Sequence, residues 1–256
     1  MTIPRELILG EVINRIDWSD GLFSLTINAP VEPYQAGQFL KLALQDDAGQ
    51  WIRRAYSLVN SPNHTLGYQT FELLIIADPN GELTPLLNKL QPGDDIYVSR
   101  QAAGFMTISE IPKTAKDLWL LSTGTAIGPF LSMLDEIETE NRFERLVLVH
   151  AVRTVDELVY RDRIEQLQSQ YSGKLSYVPI VSRETCDWSL SGRIPQLISS
   201  GELFNAVGFP LDVSRSFVYM CGNPSMVHDT ATQLIELGLT KHLRRQAGQF
   251  SSENYW

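Results

Sequence analysis

Residues 117–130 read DLWLLSTGTAIGPF. The first seven residues are a nearly continuous apolar run. It breaks at Gly124 and gives way to a helical pattern, AIGPFLSMLDEIE. An apolar strand of this kind must be covered on both faces. A strand, a turn of small residues and then a helix form the repeating unit of a parallel α/β sheet. The unit recurs downstream. LVLVHAV (146–152) is followed by DELVYRDRIEQLQSQY, LSYVPIVS (175–182) by IPQLISSGEL, and SFVYMCG (216–222) by MVHDTATQLIELG. In such sheets ligands bind at the carboxyl ends of the strands. The functional residues are therefore expected just after positions 123, 152, 182 and 222.

The preceding half has a different rhythm. LILGEVI, LFSLTIN, GQFLKLAL, WIRRAYSLV, FELLIIA and DDIYVSR are short, rich in Ile, Leu, Val, Phe and Tyr, and separated by turn clusters such as Asn28-Ala29-Pro30 and Pro92-Gly93-Asp94. Six strands at this spacing predict an antiparallel barrel or sandwich. One helical stretch, LTPLLNKL (83–90), interrupts them after Gly81. The expected fold is β followed by α/β. A six-stranded antiparallel domain spans 1–101 and a Rossmann-like parallel-sheet domain spans 106–256.

The 256 residues carry a net charge of −9. So acidic a chain is a poor general binder of nucleic acid. Two cysteines, Cys186 and Cys221, make neither a disulfide framework nor a metal-binding set. No apolar run approaches the roughly 20 residues of a membrane span, and the first residues lack the apolar segment of a signal peptide. A cytoplasmic protein, monomeric and without a metal, is the expectation.

The strand ends carry polar chemistry. Gly124 and Gly128 bracket the first strand–helix turn, and backbone there can approach a phosphate. Arg153 follows the second strand, Arg183 the third, and Arg193 lies shortly after. Guanidinium groups bind phosphate bidentately, so three arginines at neighbouring strand ends of an acidic chain suggest a phosphate clamp. The fourth strand ends at Cys221 and Gly222, small enough for a flat ring to lie close. Asn223, Pro224 and Ser225 then open a helix. No histidine or amide partner marks Cys221 as a nucleophile.

In the first half, RRAYSLVN (53–60) places a cation, a flat ring and a hydroxyl at Arg54, Tyr56 and Ser57 of one strand. An edge strand turned to water and a ligand-bearing strand are both compatible with these eight residues. RAYS (54–57), GELT (81–84), GTAIGP (124–129), CGNPSM (221–226) and the aromatic C-terminus together resemble the ferredoxin/flavodoxin–NADP reductases, the bacterial type above all. The resemblance runs from about residue 8 to the end, with five elements in order.

That resemblance implies an N-terminal barrel that binds FAD and a C-terminal domain that binds NADP(H). Arg54 would meet the flavin phosphates, Tyr56 would stack on the ring and the Ser57 hydroxyl would lie at the hydride-accepting nitrogen. Ala55 and Leu74 would border the flavin. Glu82, Leu83 and Thr84 would hold the pyrophosphate, and Thr125 would sit beside the cofactors. Tyr255 and Trp256 would pack on FAD, on its adenine. Arg153, Arg183 and Arg193 would hold the adenosine phosphate of NADP(H), assisted by Thr154 and Asn223. Cys221 and Gly222 would border the nicotinamide, Ser57 and Cys221 being the catalytic pair, with Pro224, Ser225 and Asp229 nearby. The partners implied are ferredoxin, flavodoxin or both.

Ferredoxins and flavodoxins are typically acidic, so local charge would have to dock them. KHLRR, with Lys241, Arg244 and Arg245, and Arg53 near the flavin strand are the candidates. A flavin reductase or oxygenase reductase component of the same plan is a second enzyme reading. A nucleotide-binding regulatory module is the non-enzyme alternative.

Overall fold

The computed structural model describes residues 3–243 and 245–255. The first half comprises β1 (Leu7–Ser19), β2 (Leu22–Asn28), β3 (Phe39–Gln45), β4 (Trp51–Ser57), β5 (Thr70–Ile76), α1 (Thr84–Leu87) and β6 (Asp95–Ser99). The strands form one antiparallel sheet in the order β4-β3-β6-β1-β2-β5. Its ends meet where Leu58 bridges Leu73 and the Val59 N–H donates to Glu72 O at 2.9 Å. The sheet thus closes into a barrel around Phe23, Leu25, Ile27, Phe71, Leu73 and Ile75. Before Leu58, β4 pairs with β3 alone, so its outer edge stays open.

The expected helix over 83–90 is shorter in the structure. α1 ends at Leu87, and i→i+3 bonds carry the chain to Leu90 (Lys89 N to Leu86 O and Leu90 N to Leu87 O, both 3.1 Å). The approaching Pro92 is poorly compatible with further helix. Arg15 takes the Asn88 and Leu90 carbonyls at 3.0 and 3.1 Å. It pins this turn to the barrel while its guanidinium lies over the Phe23 ring.

The second half continues with β7 (Asp117–Thr123), α2 (Gly128–Leu134), α3 (Ile137–Arg142), β8 (Arg145–Val152), α4 (Arg161–Gln170), β9 (Leu175–Val181), β10 (Leu190–Ser191), α5 (Ile194–Ser199), α6 (Glu202–Val207), β11 (Ser216–Gly222), α7 (Pro224–Glu236) and β12 (Phe250–Asn254). The sheet is parallel throughout, in the order β10-β9-β8-β7-β11-β12. Alternation divides each strand between two cores. Leu118 and Leu120 face one, Trp119 and Leu121 the other. Two strands go beyond the four expected. β10 is a two-residue edge, and β12 is the C-terminal tail, added alongside β11.

The two halves share a core. Leu22, Val59 and Leu74 of the barrel pack in one apolar cluster with Ala126, Ile127 and Phe130. Gly128 explains the close approach. A Cβ there would sit 3.1 Å from Val59 Cγ2. The second glycine of the GTAIG turn therefore makes room for the barrel. Among the described residues no helix is long and apolar enough to cross a membrane.

Candidate active site

The carboxyl edge of the parallel sheet opens into a cavity of about 420 Å³ at the seam with the barrel. Thr123, Gly124 and Thr125 line its floor, with Arg153, Arg183 and Arg193 around them and Asn223, Ser225 and Asp229 opposite. Leu74 closes the barrel side. The three arginines are exposed, and none forms an ion pair among the described residues. The Arg183 N–H donates to Arg153 O at 2.9 Å, which ties the two strand ends together. Unpaired guanidinium groups converging on one cavity suit a polyanion.

The strand-end turns are built for close backbone approach. Gly222 has φ +133°, and a Cβ there would overlap Thr123 Oγ1. That hydroxyl accepts the Asn223 N–H at 2.8 Å. The Asn223 side chain caps α7 by accepting from the N–H groups of Ser225 and Met226, and Pro224 occupies the first helical turn. Asn223 is thus committed to the helix start through its side chain. Thr154 flanks a short 3₁₀ turn, Val155–Glu157, beside the cavity.

A second group of residues meets where β4, β11 and the tail converge. Cys221 is completely buried. β12 pairs it with Glu253. The chain then turns, the Tyr255 N–H donating to Gly222 O at 2.9 Å. The Tyr255 hydroxyl stands against both the Ser57 hydroxyl and the Cys221 thiol. Burial first, and then the Glu253 carboxylate, push the Cys221 thiol well up, so it stays protonated. Burial likewise raises Glu253, against the backbone N–H groups of Phe105 and Met106. Tyr255 therefore lies at the Ser57–Cys221 end of the site. Trp256 and Arg244 lie outside the described residues.

β4 presents its other residues along the open edge. Cross-strand pairing sets Arg54 opposite Leu42 and Tyr56 opposite Leu40, on one face, and Ser57 opposite Phe39 on the other. Arg54 pairs with Glu82 of the turn before α1. Ala55 is exposed between them. Burial pushes the Tyr56 phenol up to about 12, Arg54 opposing. Leu83 is buried and anchors the turn, while the Thr84 hydroxyl donates to Asp78 O at 2.9 Å. A cation, a half-buried ring and a hydroxyl beside an unpaired strand edge fit an extended, ring-bearing phosphate ligand such as FAD. Among the described residues no cluster could hold a metal ion.

The structure brings Arg153, Arg183, Arg193, Asn223, Ser225 and Asp229 to one cavity, together with neighbours the sequence did not single out. Thr123, Ser182 and Glu157 also line the cavity, as do Leu22 and Ile76 from the barrel. Thr123 and Ser182 sit at strand ends and were findable by that rule. Leu22 and Ile76 carry no such mark, because only the docking of the halves places them there. The basic stretch behaves differently. Lys241 bridges Phe250 at the start of β12, the amino edge of the sheet. Phe250 pairs with Val218, three residues before Cys221, so Lys241 stands roughly 10 Å along the strands from Cys221 at about 3.3 Å per residue.

Comparison with known proteins agrees with this geometry. Residues 11–103 match the oxidoreductase FAD-binding domain family and residues 120–232 the oxidoreductase NAD-binding domain family. The flavodoxin/ferredoxin–NADP reductase of Escherichia coli (strain K12) is 47% identical over 250 residues, covering 97% of this chain and 98% of that one. The chain belongs to the flavodoxin/ferredoxin–NADP reductase family. The ferredoxin–NADP reductase of Pseudomonas aeruginosa is 38% identical over 231 residues, 87% of this chain and 86% of that one. A solved ferredoxin–NADP+ reductase from Neisseria gonorrhoeae, with bound FAD and NADP, superposes with a TM-score of 0.89 at 31% identity, covering 98% of this chain and 99% of that one. Membership explains why this reductase fold joins an open-edged barrel to a parallel sheet.

Proposed function

We propose that this reductase passes electrons between NADPH and one-electron carriers of the flavodoxin and ferredoxin type through FAD. Residues 1–101 hold FAD and residues 106–256 hold NADP(H). One observation carries the proposal. Tyr255 of the tail stands against both Ser57 of the barrel and Cys221 of the parallel sheet, next to the strand ends that line the unpaired arginine cavity. Bound FAD supplies the redox chemistry, taking electrons as a hydride and releasing them singly.

The residues of the chain bind, orient and exclude water. Arg54, Tyr56 and the Glu82–Thr84 turn hold the flavin along the β4 edge. Arg153, Arg183 and Arg193 hold the adenosine phosphate of NADP(H), and the Gly124–Thr125 turn its linker. Cys221 and Gly222 leave space for a flat nicotinamide. Hydride transfer needs near contact and a dry site. The buried Cys221 and the Tyr255 ring exclude water there, and the protonated thiol adds no charge. Tyr255 works at the ring end of the flavin, not at its adenine.

Carrier exchange belongs to the β4 side, where the strand edge is open, whereas Lys241 bridges the amino end of β12. Lys241→Ala with Arg245→Ala therefore leaves carrier reduction unchanged, and a severalfold loss would move docking to that end of β12. The central test is a visible spectrum of the purified protein before and after anaerobic NADPH. A flavin spectrum that bleaches supports the proposal. A colourless protein that does not take up added FAD would return the lead to a nucleotide-binding module without redox turnover.

A further inference from the structure

His150 takes no part in the chemistry proposed above, yet its placement is demanding. It is fully buried on β8, paired between Ser122 of β7 and Pro179 of β9. It alternates with Leu146 and Leu148, so its ring lies on their side of the sheet. Its Nε2 is 3.1 Å from the Gly124 carbonyl oxygen. A carbonyl only accepts, so Nε2 carries the proton and Nδ1 is bare. That Nδ1 is buried and finds no donor among the described residues. Ser122, its partner across the sheet on β7, donates instead to Val149 O at 2.7 Å, and Pro179 has no N–H to offer. An unpaired buried acceptor is costly, and an apolar side chain would avoid that cost.

What the imidazole gains is control of one peptide. Gly124 stands at φ +55°, at the turn from β7 toward α2, and lines the cavity with Thr125. In a trans peptide the C=O and the following N–H point in opposite directions. Drawing the Gly124 carbonyl inward to His150 turns the Thr125 N–H away from the sheet, toward the cavity. We infer that His150 is a positioning residue, locking the Gly124–Thr125 peptide so that its N–H is presented to the anionic linker of the dinucleotide. The inference rests on the NADP(H) assignment of that cavity.

The test is isothermal titration of the purified flavoprotein with NADP+ and, separately, with adenosine 2′-phosphate. The second ligand reaches the arginines but has no linker. In His150→Leu, NADP+ affinity falls roughly tenfold, the factor one hydrogen bond carries, while adenosine 2′-phosphate binds within about twofold of the parent. His150→Gln, whose amide can donate to the same carbonyl, restores most of the loss. Should the leucine variant fail to fold, His150→Asn, polar but too short to reach, takes its place. Unchanged NADP+ affinity overturns the inference, as does an equal loss for both ligands, which marks a merely structural histidine. A parent protein that binds neither ligand overturns the NADP(H) assignment itself and the inference with it.

Discussion

The Tyr160 hydroxyl donates to Glu72 Oε1 at 2.6 Å, bolting the start of α4 to barrel strand β5. Tyr160 holds φ +63°, rare for a side chain of this size. Its ring packs on Trp18 with centroids 4.8 Å apart. Arg163, one turn on, donates to Val59 O at 3.0 Å and pairs with Asp135. This latch ties the start of α4 in the parallel-sheet half to the barrel. Tyr160→Phe keeps the ring and deletes the bond. The expected loss is about 1–3 kcal/mol, the range for hydrogen bonds to charged groups and unsatisfied partners. The chemical denaturation midpoint measures it, and an unchanged midpoint shows that the latch carries no stability.

The arginine cavity predicts coenzyme choice. Arg153 and Arg183 are joined through backbone and have no carboxylate partner among the described residues. Replacing either by Ala should raise KM for NADPH roughly tenfold and leave NADH nearly unaffected, since a bidentate phosphate contact is lost in one case only. The ratio of kcat/KM values for the two coenzymes checks this. A parallel decline for both would place the phosphate elsewhere.

Gly222 has no room for a side chain. Gly222→Ala forces a methyl group onto Thr123 Oγ1 at φ +133°. The hydroxyl that accepts the Asn223 N–H must then move. We expect a loss of about 2 kcal/mol or more and slower NADPH oxidation. Thr123→Ala in the same chain removes the clash and recovers part of the loss, leaving the dihedral strain. A double-mutant cycle reads the coupling.

Acid should unsettle the turn through His150. Burial pulls its pKa down from 6.5 to about 4. A base whose folded pKa is depressed is protonated first in the unfolded chain. Stability is therefore complete above pH 6.5, falls as pH drops toward 4 and levels off below. The span of about 2.5 units corresponds to roughly 3 kcal/mol. Denaturation of the parent and His150→Gln across pH 4–7 measures it. Parallel curves for the two proteins would assign the acid sensitivity to other groups.

The two cysteines should separate cleanly. Cys186 is half-exposed, whereas Cys221 is completely buried with its thiol pushed up. A disulfide reagent should label Cys186 in the native protein and reach Cys221 only in denaturant. NADPH oxidation should survive labelling. Two fast-reacting thiols would show that the β11 end opens to solvent.

Most of the framework was legible in the sequence. The six barrel strands and the strands at 117–123, 146–152, 175–182 and 216–222 announce themselves through apolar periodicity, which each stretch carries within itself. The same periodicity sets Arg153, Arg183 and Cys221 at the strand ends, where the structure has them. The tail was not legible as a strand. FSSEN is mostly polar and half-exposed, and it becomes β12 only because β11 offers a free edge. That pairing brings Glu253 opposite Cys221 and delivers Tyr255 to Ser57. Gly128 reads as a phosphate-turn glycine until the barrel is seen pressing on it, and His150 reads as one polar residue in an apolar strand until Gly124 O is found at its ring. Local pattern determines which segments become strands and helices, because backbone preference and side-chain alternation act between near neighbours. Which side chains share a site depends on how two finished surfaces dock, and that is decided by contacts between residues far apart in the chain.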